Sequence, residues 1–397
     1  MHLKMSRPNK FRLIGIMSGT SLDGIDLCYA EFWKDNNRQW KYYMPYTESV
    51  DYTDEWRSKL DQAENLSAFE YIQLDRALGK KLGQHAKSFI DKYQLKVDYV
   101  CSHGHTIFHQ TELGITSQIG GGPEIAAESK HNVINDFRIS DVALGGQGAP
   151  LVPIGDRLLF HDYHYRLNLG GIANISYDVN SETIAFDVAP ANMPLNYYMR
   201  TLGKEFDKDG KLSSTGKVNQ EVYKKLNDLP FYETFQTKSL GKEWVFEHYI
   251  PLLNQIEKIE DRLATSIEHT AYQTARIIDN AAKKSKFNFG KSRLLITGGG
   301  AFNTFLIDRI KAHCTSTEIV IPSDKIINYK EALLFAFLGC LRIKKENNSL
   351  KSVTGASIDN CGGVIHHIFT KSPEIVNPTE DITDEMPSFN KIIGCGG

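Results

Sequence analysis

Two glycine-bearing hairpins about 150 residues apart constrain this chain more than any other feature of its sequence. The first is Gly15–Asp26, which reads G-I-M-S-G-T-S-L-D-G-I-D between the apolar runs Phe11–Met17 and Ile25–Phe32. Both runs are short and rich in β-branched and aromatic residues, the composition of strands. Between them, Gly19 and Gly24 permit positive φ and place no Cβ between backbone and ligand. Thr20 and Ser21 add hydroxyls, and Asp23 or Asp26 could hold a metal through water. The turn from Gly19 through Leu22 to Ile25 thus has the chemistry to cradle phosphates with a divalent ion. An ordinary hairpin turn would use the same residues. The second hairpin repeats the pattern: Tyr165–Leu169, a Gly170-Gly171 turn, then Ile172–Tyr177, with Asn168 and Asn174 flanking the turn. A nucleotide held between duplicated halves, with one turn from each on its phosphates, is the natural reading of the pair.

A chain of 397 residues has room for two domains or one large one. With 41% hydrophobic residues it has ample material for a core. A formal charge of −2 gives no electrostatic reason to expect nucleic acid or an anionic membrane as partner. The six cysteines are scattered without a C-x-x-C pair, so they read as reduced thiols of a cytoplasmic protein, and structural zinc is disfavoured. The polar start, Met1–Lys10, leads straight into a strand and is not a signal peptide. The longest apolar run, Ala332–Leu341, is far shorter than a membrane span. Neither G-x-x-x-x-G-K-[ST], nor G-x-G-x-x-G after a strand, nor G-x-S-x-G is present, which excludes a P-loop and disfavours a Rossmann site or an α/β-hydrolase.

Between the hairpins, Asp54–Gln62 and Ser67–Tyr93 read as helices, the second amphipathic. The short strand Val97–Cys101 opens into Ser102-His103-Gly104-His105-Thr106-Ile107-Phe108-His109. On a strand the three histidines would share a face, as a metal site requires. A polar loop for a small ligand is the better reading. Val133–Asn135 is a strand with Asp136-Phe137-Arg138 at its end. Leu144–Pro153 is a hinge between halves or a surface loop. In the second half, strand Thr183–Phe186 ends at Asp187, placed either as a catalytic base or as a turn aspartate. Strand Arg293–Thr297, the turn Gly298-Gly299-Gly300 and the helix Thr304–His313 put backbone N–H groups where adenosine or phosphate could bind. Tyr329–Ile343 reads as a helix with Glu331 in its first turn, where a carboxylate also suits the helix dipole.

Met17–Asp26 resembles the opening signature of the anhydro-N-acetylmuramic acid kinases. Later motifs follow in that family's order: Ser102–Thr106, Gln118–Gly120, Asp136–Arg138, Asp141–Pro153, Asn168–Asn174, Gly298–Asn303, Lys330–Ala332 and Ser352–Ala356. The resemblance covers about residues 11–366. It implies a two-lobed, actin-like (ribonuclease H-like) α/β sugar-kinase fold with duplicated domains around an ATP cleft. Residues 1–150 would form the N-terminal lobe, joined by a return segment near 345–370. Residues 151–344 would form the second lobe and 371–397 a polar tail.

It further implies ATP and Mg²⁺ as cofactors, the metal at Asp23. The first turn (Gly19 to Asp26), Asn168, Gly170, Gly171, Asn174, Gly298, Gly299 and Asn303 would hold the nucleotide. His103, Gly104, Arg138, Asn192 and Glu331 would line the sugar site, and a homodimer is plausible. The implied reaction opens the 1,6-anhydro ring with water and phosphorylates O6, Asp187 acting as base on the water. Two departures stand out. Ala189 and Ala191 replace glycines that usually follow the aspartate, adding Cβ atoms near the sugar or at positions of positive φ. His105 stands where glutamine is usual. A weakly active nucleotide-binding sensor or scaffold, and a kinase of another amino sugar, are the competing expectations.

Overall fold

The computed structural model describes residues 10–19, 22–180, 182–235, 238–284 and 292–368. Thr20, Ser21 and the 371–397 tail fall outside them. β1 (Phe11–Ser18) pairs antiparallel with β2 (Gly24–Lys34), Ser18 opposite Ile25, as the two apolar runs require. β3 (Trp40–Asp51) then adds antiparallel to β2 as an edge strand. Pro45 is tolerated there because the edge needs no N–H from it, and the pairing shifts register opposite Tyr29–Glu31. The capping box of Ser67 and Glu70 starts the long helix Ala68–Tyr93. β4 (Tyr99–Ser102) returns parallel to β1, the small hairpin of β5 (His105–Gln110) and β6 (Ile115–Ile119) projects beyond it, and β7 (Val133–Asn135) runs parallel to β4.

The second half repeats this. β8 (Tyr165–Leu169), β9 (Ile172–Val179) and β10 (Glu182–Pro190) form an antiparallel meander, and β11 (Ser292–Thr297) and β12 (Thr317–Val320) add in parallel on the other side of β8. Counted within each half, both sheets run third, second, first, fourth, fifth strand with identical senses. This is the duplicated two-lobed actin-like α/β fold that the family resemblance implies. β13 (Val364–His366) closes the first sheet, antiparallel to β7.

The alternating side chains of β1 serve two cores. Ile14 and Ile16 pack towards the Ala68–Tyr93 helix, and Leu13 towards the opposite face. That opposite face is covered by the helix Asp324–Ile343, which sequence order would assign to the second half. It lies instead on β1, β2 and β4. The approach is close: a Cβ on Gly15 would collide with the Ala332 carbonyl, and one on Gly339 with Cys101 Sγ. This cleft helix is tied to the second sheet through buried Lys330, whose Nζ donates to Asp156 Oδ1 (3.3 Å), while Ser176 Oγ of β9 donates to Asp156 Oδ2 (3.2 Å). It begins at Asp324, so Glu331 sits about two turns inside it rather than in the first turn, and the helix-dipole explanation falls. Among the described residues no helix is long and apolar enough to cross a membrane.

Candidate active site

Register aligns a line of polar residues across the second sheet. Thr297 of β11 pairs with Asn168 of β8, Asn168 with Asn174 of β9, and Asn174 with Asp187 of β10. Directly opposed residues share a face. The face is the one towards the first lobe, because Ala185 and Leu295, two residues earlier, pack in the core with the cleft helix. The other face, with Leu167, Ile175 and Ile296, closes the second lobe's own core. Thr297 Oγ1 is buried and has no hydrogen-bond partner among the described residues.

Above this row the glycine loops meet. Asn192 and Met193 donate their N–H groups to the carbonyls of Gly170 (3.1 Å) and Gly171 (3.0 Å), and Asn192 Nδ2 donates to Leu169 O (3.0 Å). Gly298 takes φ +80°, and a Cβ there would strike Asn168 Oδ1. By contrast, a Cβ on Gly170, Gly171 or Gly299 would meet nothing closer than 3.5 Å. Gly171 and Gly299 are exposed, so these turns present bare backbone at the carboxyl ends of β8 and β11, a cradle fit for phosphates and ribose.

Asp187 lies within β10, not beyond its end, and a β-bulge separates it from Ala189. A bulge re-aims the side chain beside it. The peptide N–H of Asp187 donates to Lys238 O (3.1 Å), and its Oδ2 accepts Leu240 N–H (2.8 Å) and Ser239 Oγ–H (3.3 Å). No described residue bonds Oδ1. Burial raises the carboxyl pKa, and the Leu240 and Ser239 bonds work against it. A carboxylate with one oxygen held and the other free can accept a proton.

In the first lobe, Leu22 closes the turn at φ +59°, donating its N–H to Gly19 O (3.3 Å); a leucine held there stores strain at the loop tip. Asp23 is exposed, while Ile25 is fully buried against the Ala68–Tyr93 helix, so its side chain is core and touches no ligand. Gly24 is extended within β2, and its glycine is required by the Val50 carbonyl, which a Cβ would strike. The positive-φ reason expected for Gly24 is therefore corrected to close packing. Asp26 faces the cleft helix in register with Met17 and Ser49; Ser49 Oγ donates to its Oδ1 (2.6 Å) and accepts from Tyr329 OH (2.9 Å). Burial raises the Asp26 pKa, opposed by the Ser49 bond and aided by Asp23.

Beside it, solvent reaches Glu331, yet the surrounding protein raises its pKa, against the charges of Lys330 and Arg138 and with that of Asp26. Exposure within dense surroundings is the mark of a cleft. Arg138 holds buried His103 from below, and Gly104 takes φ +73° with its carbonyl on His103 Nδ1 (2.9 Å).

The model of the anhydro-N-acetylmuramic acid kinase family matches residues 11–368. The chain belongs to that family. The anhydro-N-acetylmuramic acid kinase of Mannheimia succiniciproducens is 32% identical over 378 residues, covering 89% of this chain and 98% of its own. That of Shewanella sp. strain ANA-3 is 33% identical, over 88% of this chain and 96% of its own. That of Clostridioides difficile is 33% identical, over 86% and 95%.

Against this family's signature, neither of the two alanines stands at positive φ. Ala189 pairs with Ala173 and, like Ala191, is buried in the second lobe's core. His105 supports the first turn from beneath: its Nδ1 bonds Ser18 Oγ (3.0 Å), which bonds Tyr52 OH (2.7 Å). Burial pulls its pKa down to about 4. The three histidines do not converge, since His103 meets Arg138, His105 meets Ser18 and His109 meets Thr116. Asn303 uses its Oδ1 to cap the Thr304–His313 helix (3.0 Å from Leu306 N), and Asn192, expected at the sugar, stands with the Gly170 and Gly299 loops. Ser239 and Leu240 escaped the sequence reading, since nothing local links them to Asp187 more than fifty residues earlier.

Proposed function

We propose that this chain is an ATP-dependent kinase that opens the 1,6-anhydro ring of 1,6-anhydro-N-acetylmuramic acid with water and phosphorylates O6, giving N-acetylmuramic acid 6-phosphate in cell-wall recycling. The observation that carries the reading is the row Thr297–Asn168–Asn174–Asp187. It puts a half-held carboxylate at one end of a polar line and the open glycine cradle at the other. Bound Mg-ATP would supply the phosphoryl group. Gly170, Gly171, Gly298 and Gly299 offer it N–H donors, and Thr297 Oγ1 is a buried hydroxyl in need of a partner. The first turn would close on the phosphates from the other lobe.

Asp26 and Glu331 suit Mg²⁺, together with exposed Asp23. Both are raised carboxyls in the cleft without an ion-pair partner among the described residues, and Mg²⁺ is usually held by one or two carboxylates plus substrate phosphates. Asp187 Oδ1 would take the proton from the water attacking C1 while Ser239 and Leu240 keep Oδ2 in place. The companion expectations, a homodimer and a cytoplasmic location, belong to the same reading.

ADP release, coupled to a reporter, tests the reading with 1,6-anhydro-N-acetylmuramic acid, N-acetylmuramic acid and N-acetylglucosamine. Turnover of the anhydro sugar, lost in Asp187→Asn, is expected. ATP binding without turnover of any sugar would favour the sensor, and turnover of only another amino sugar would reassign the substrate.

A further inference from the structure

Lys238 belongs to the short strap that grips Asp187, and it is fastened at both ends. Its carbonyl accepts the Asp187 N–H (3.1 Å), and one and two residues further on, Ser239 and Leu240 hold Asp187 Oδ2. β10 is an edge of its sheet, so among the described residues no further strand pins that side of it. The Lys238 side chain runs back to the 3₁₀ turn Pro230–Glu233. There Nζ donates to Phe231 O (2.7 Å) and to Thr234 O (2.8 Å). It also lies over three rings: Phe231 at 4.1 Å, Tyr232 at 5.5 Å, and Phe186, the residue before Asp187, at 6.0 Å.

This ammonium is half-buried and meets no carboxylate among the described residues; its desolvation is offset by carbonyls and ring faces instead. The charge it feels is another cation. Arg276, on the long helix Ile259–Lys284, donates to Tyr232 O (3.5 Å), lies over Phe235 (5.2 Å) and so braces the same turn. Burial first, and the Arg276 charge second, pull the Lys238 pKa down from 10.5 to about 8. The other titratable neighbours do not oppose this. Burial pushes the Tyr232 phenol far above its ordinary range, and His269 beside it is neutral, its pKa lowered to about 3. Glu233 is exposed and forms no ion pair among the described residues, and Asp187 spends Oδ2 on the strap. An ammonium is a stronger donor to carbonyls and rings than an amine, so the grip on the turn follows the charge.

We propose that Lys238 is a positioning residue for the base: its ammonium, clasped by the Phe231 and Thr234 carbonyls and the ring faces, holds the strap that aims Asp187. This rests on Asp187 acting as base in the kinase reading. Loss of the charge frees the strap and lets Asp187 drift off line, which slows the chemistry and spares the nucleotide.

Single-turnover rates across pH for wild type, Lys238→Met and Lys238→Arg, with 1,6-anhydro-N-acetylmuramic acid and Mg-ATP, test it beside amide hydrogen exchange at Leu240. Wild type should lose rate as pH rises through about 8, the charged form being the active one. Lys238→Met keeps the stem and drops the charge. It should slow turnover on the order of 100-fold, the cost of a misplaced group, and flatten the alkaline limb. ATP affinity should stay within about threefold of wild type, while Leu240 exchange should rise roughly tenfold. Lys238→Arg, charged at every pH used, should restore most of the rate and also lack the limb. A wild-type rate that stays level through that range, a limb that persists in Lys238→Arg, or equal losses in the two variants would each overturn the proposal. If Lys238→Met does not fold, the wild-type limb and Lys238→Arg still decide. No turnover of any sugar, with Leu240 exchange raised in Lys238→Met, would sink the kinase reading and leave the lysine's hold on the strap standing. Turnover with unchanged exchange would sink this proposal alone.

Discussion

The two hairpins look alike in sequence and use their glycines for opposite reasons. In the first lobe, Gly15 and Gly24 are glycine because protein crowds them: the cleft helix over one, the β3 backbone over the other. In the second, a Cβ on Gly170 or Gly171 would meet only ordinary contacts, none closer than 3.5 Å. The polar rows diverge in the same way. Asp26 is tied by Ser49 to Tyr329 of the helix that lies on it, whereas Asn174 is exposed and Asp187 keeps one oxygen free. Duplication has thus left one lobe with a covered face that carries the cleft helix and the other with a face that reaches the ligands. Chemistry gathers where the sheet is left open.

The sharpest way to break this contrast is to neutralise the aspartate of each polar row in turn, Asp187 on β10 and Asp26 on β2. Asp187→Asn should lower kcat by 100- to 10,000-fold, roughly the worth of a general base, with ATP affinity unchanged. Asp26→Asn should instead act on the Mg²⁺ requirement, raising KM for Mg-ATP about tenfold, as a metal titration would read. Equal effects on the same parameter would erase the distinction.

A glycine pair tests the packing side. Gly24→Ala should cost about 1–3 kcal/mol in thermal or denaturant unfolding, the usual penalty of overpacking. Gly171→Ala should leave the melting temperature alone and weaken ATP by roughly tenfold, about one hydrogen bond to a charged group. The reverse pattern would mean that the first turn, not the second, faces the ligand.

The support beneath the first turn should be visible in pH. His105 falls from the ordinary 6.5 to about 4, so the folded state prefers it neutral. Its contribution is complete above pH 6.5 and drains away as pH falls towards 4, where about 3 kcal/mol has been lost. His105→Gln should flatten that part of the acid-unfolding curve; an unchanged slope would show that the histidine is not buried as described. The smallest effect belongs to Ser239→Ala. Removing a donor to Asp187 Oδ2 should move the acid limb of kcat/KM upward by about half a pH unit. A limb that stays in place would detach Ser239 from the base.

Much of this molecule is legible along the chain because the signals are local. Strand, glycine turn and strand mark both hairpins, Ser67 and Glu70 announce a helix start, and Asp187 stands out where a strand runs into small residues. What failed was non-local. Glu331 looked like a helix-end carboxylate until the helix proved to begin two turns earlier. The alanines beside Asp187 looked like intrusions until the bulge and the core absorbed them.

By itself, then, the sequence determined the hairpins, the duplicated fold, the family and the residue types that do chemistry, all of which follow from short-range pattern. The tertiary structure alone decided that Asn168, Asn174, Asp187 and Thr297 form one row, and that Ser239 holds Asp187. Those facts depend on strand register and on which buried groups find partners, and both are settled by residues far apart in the chain.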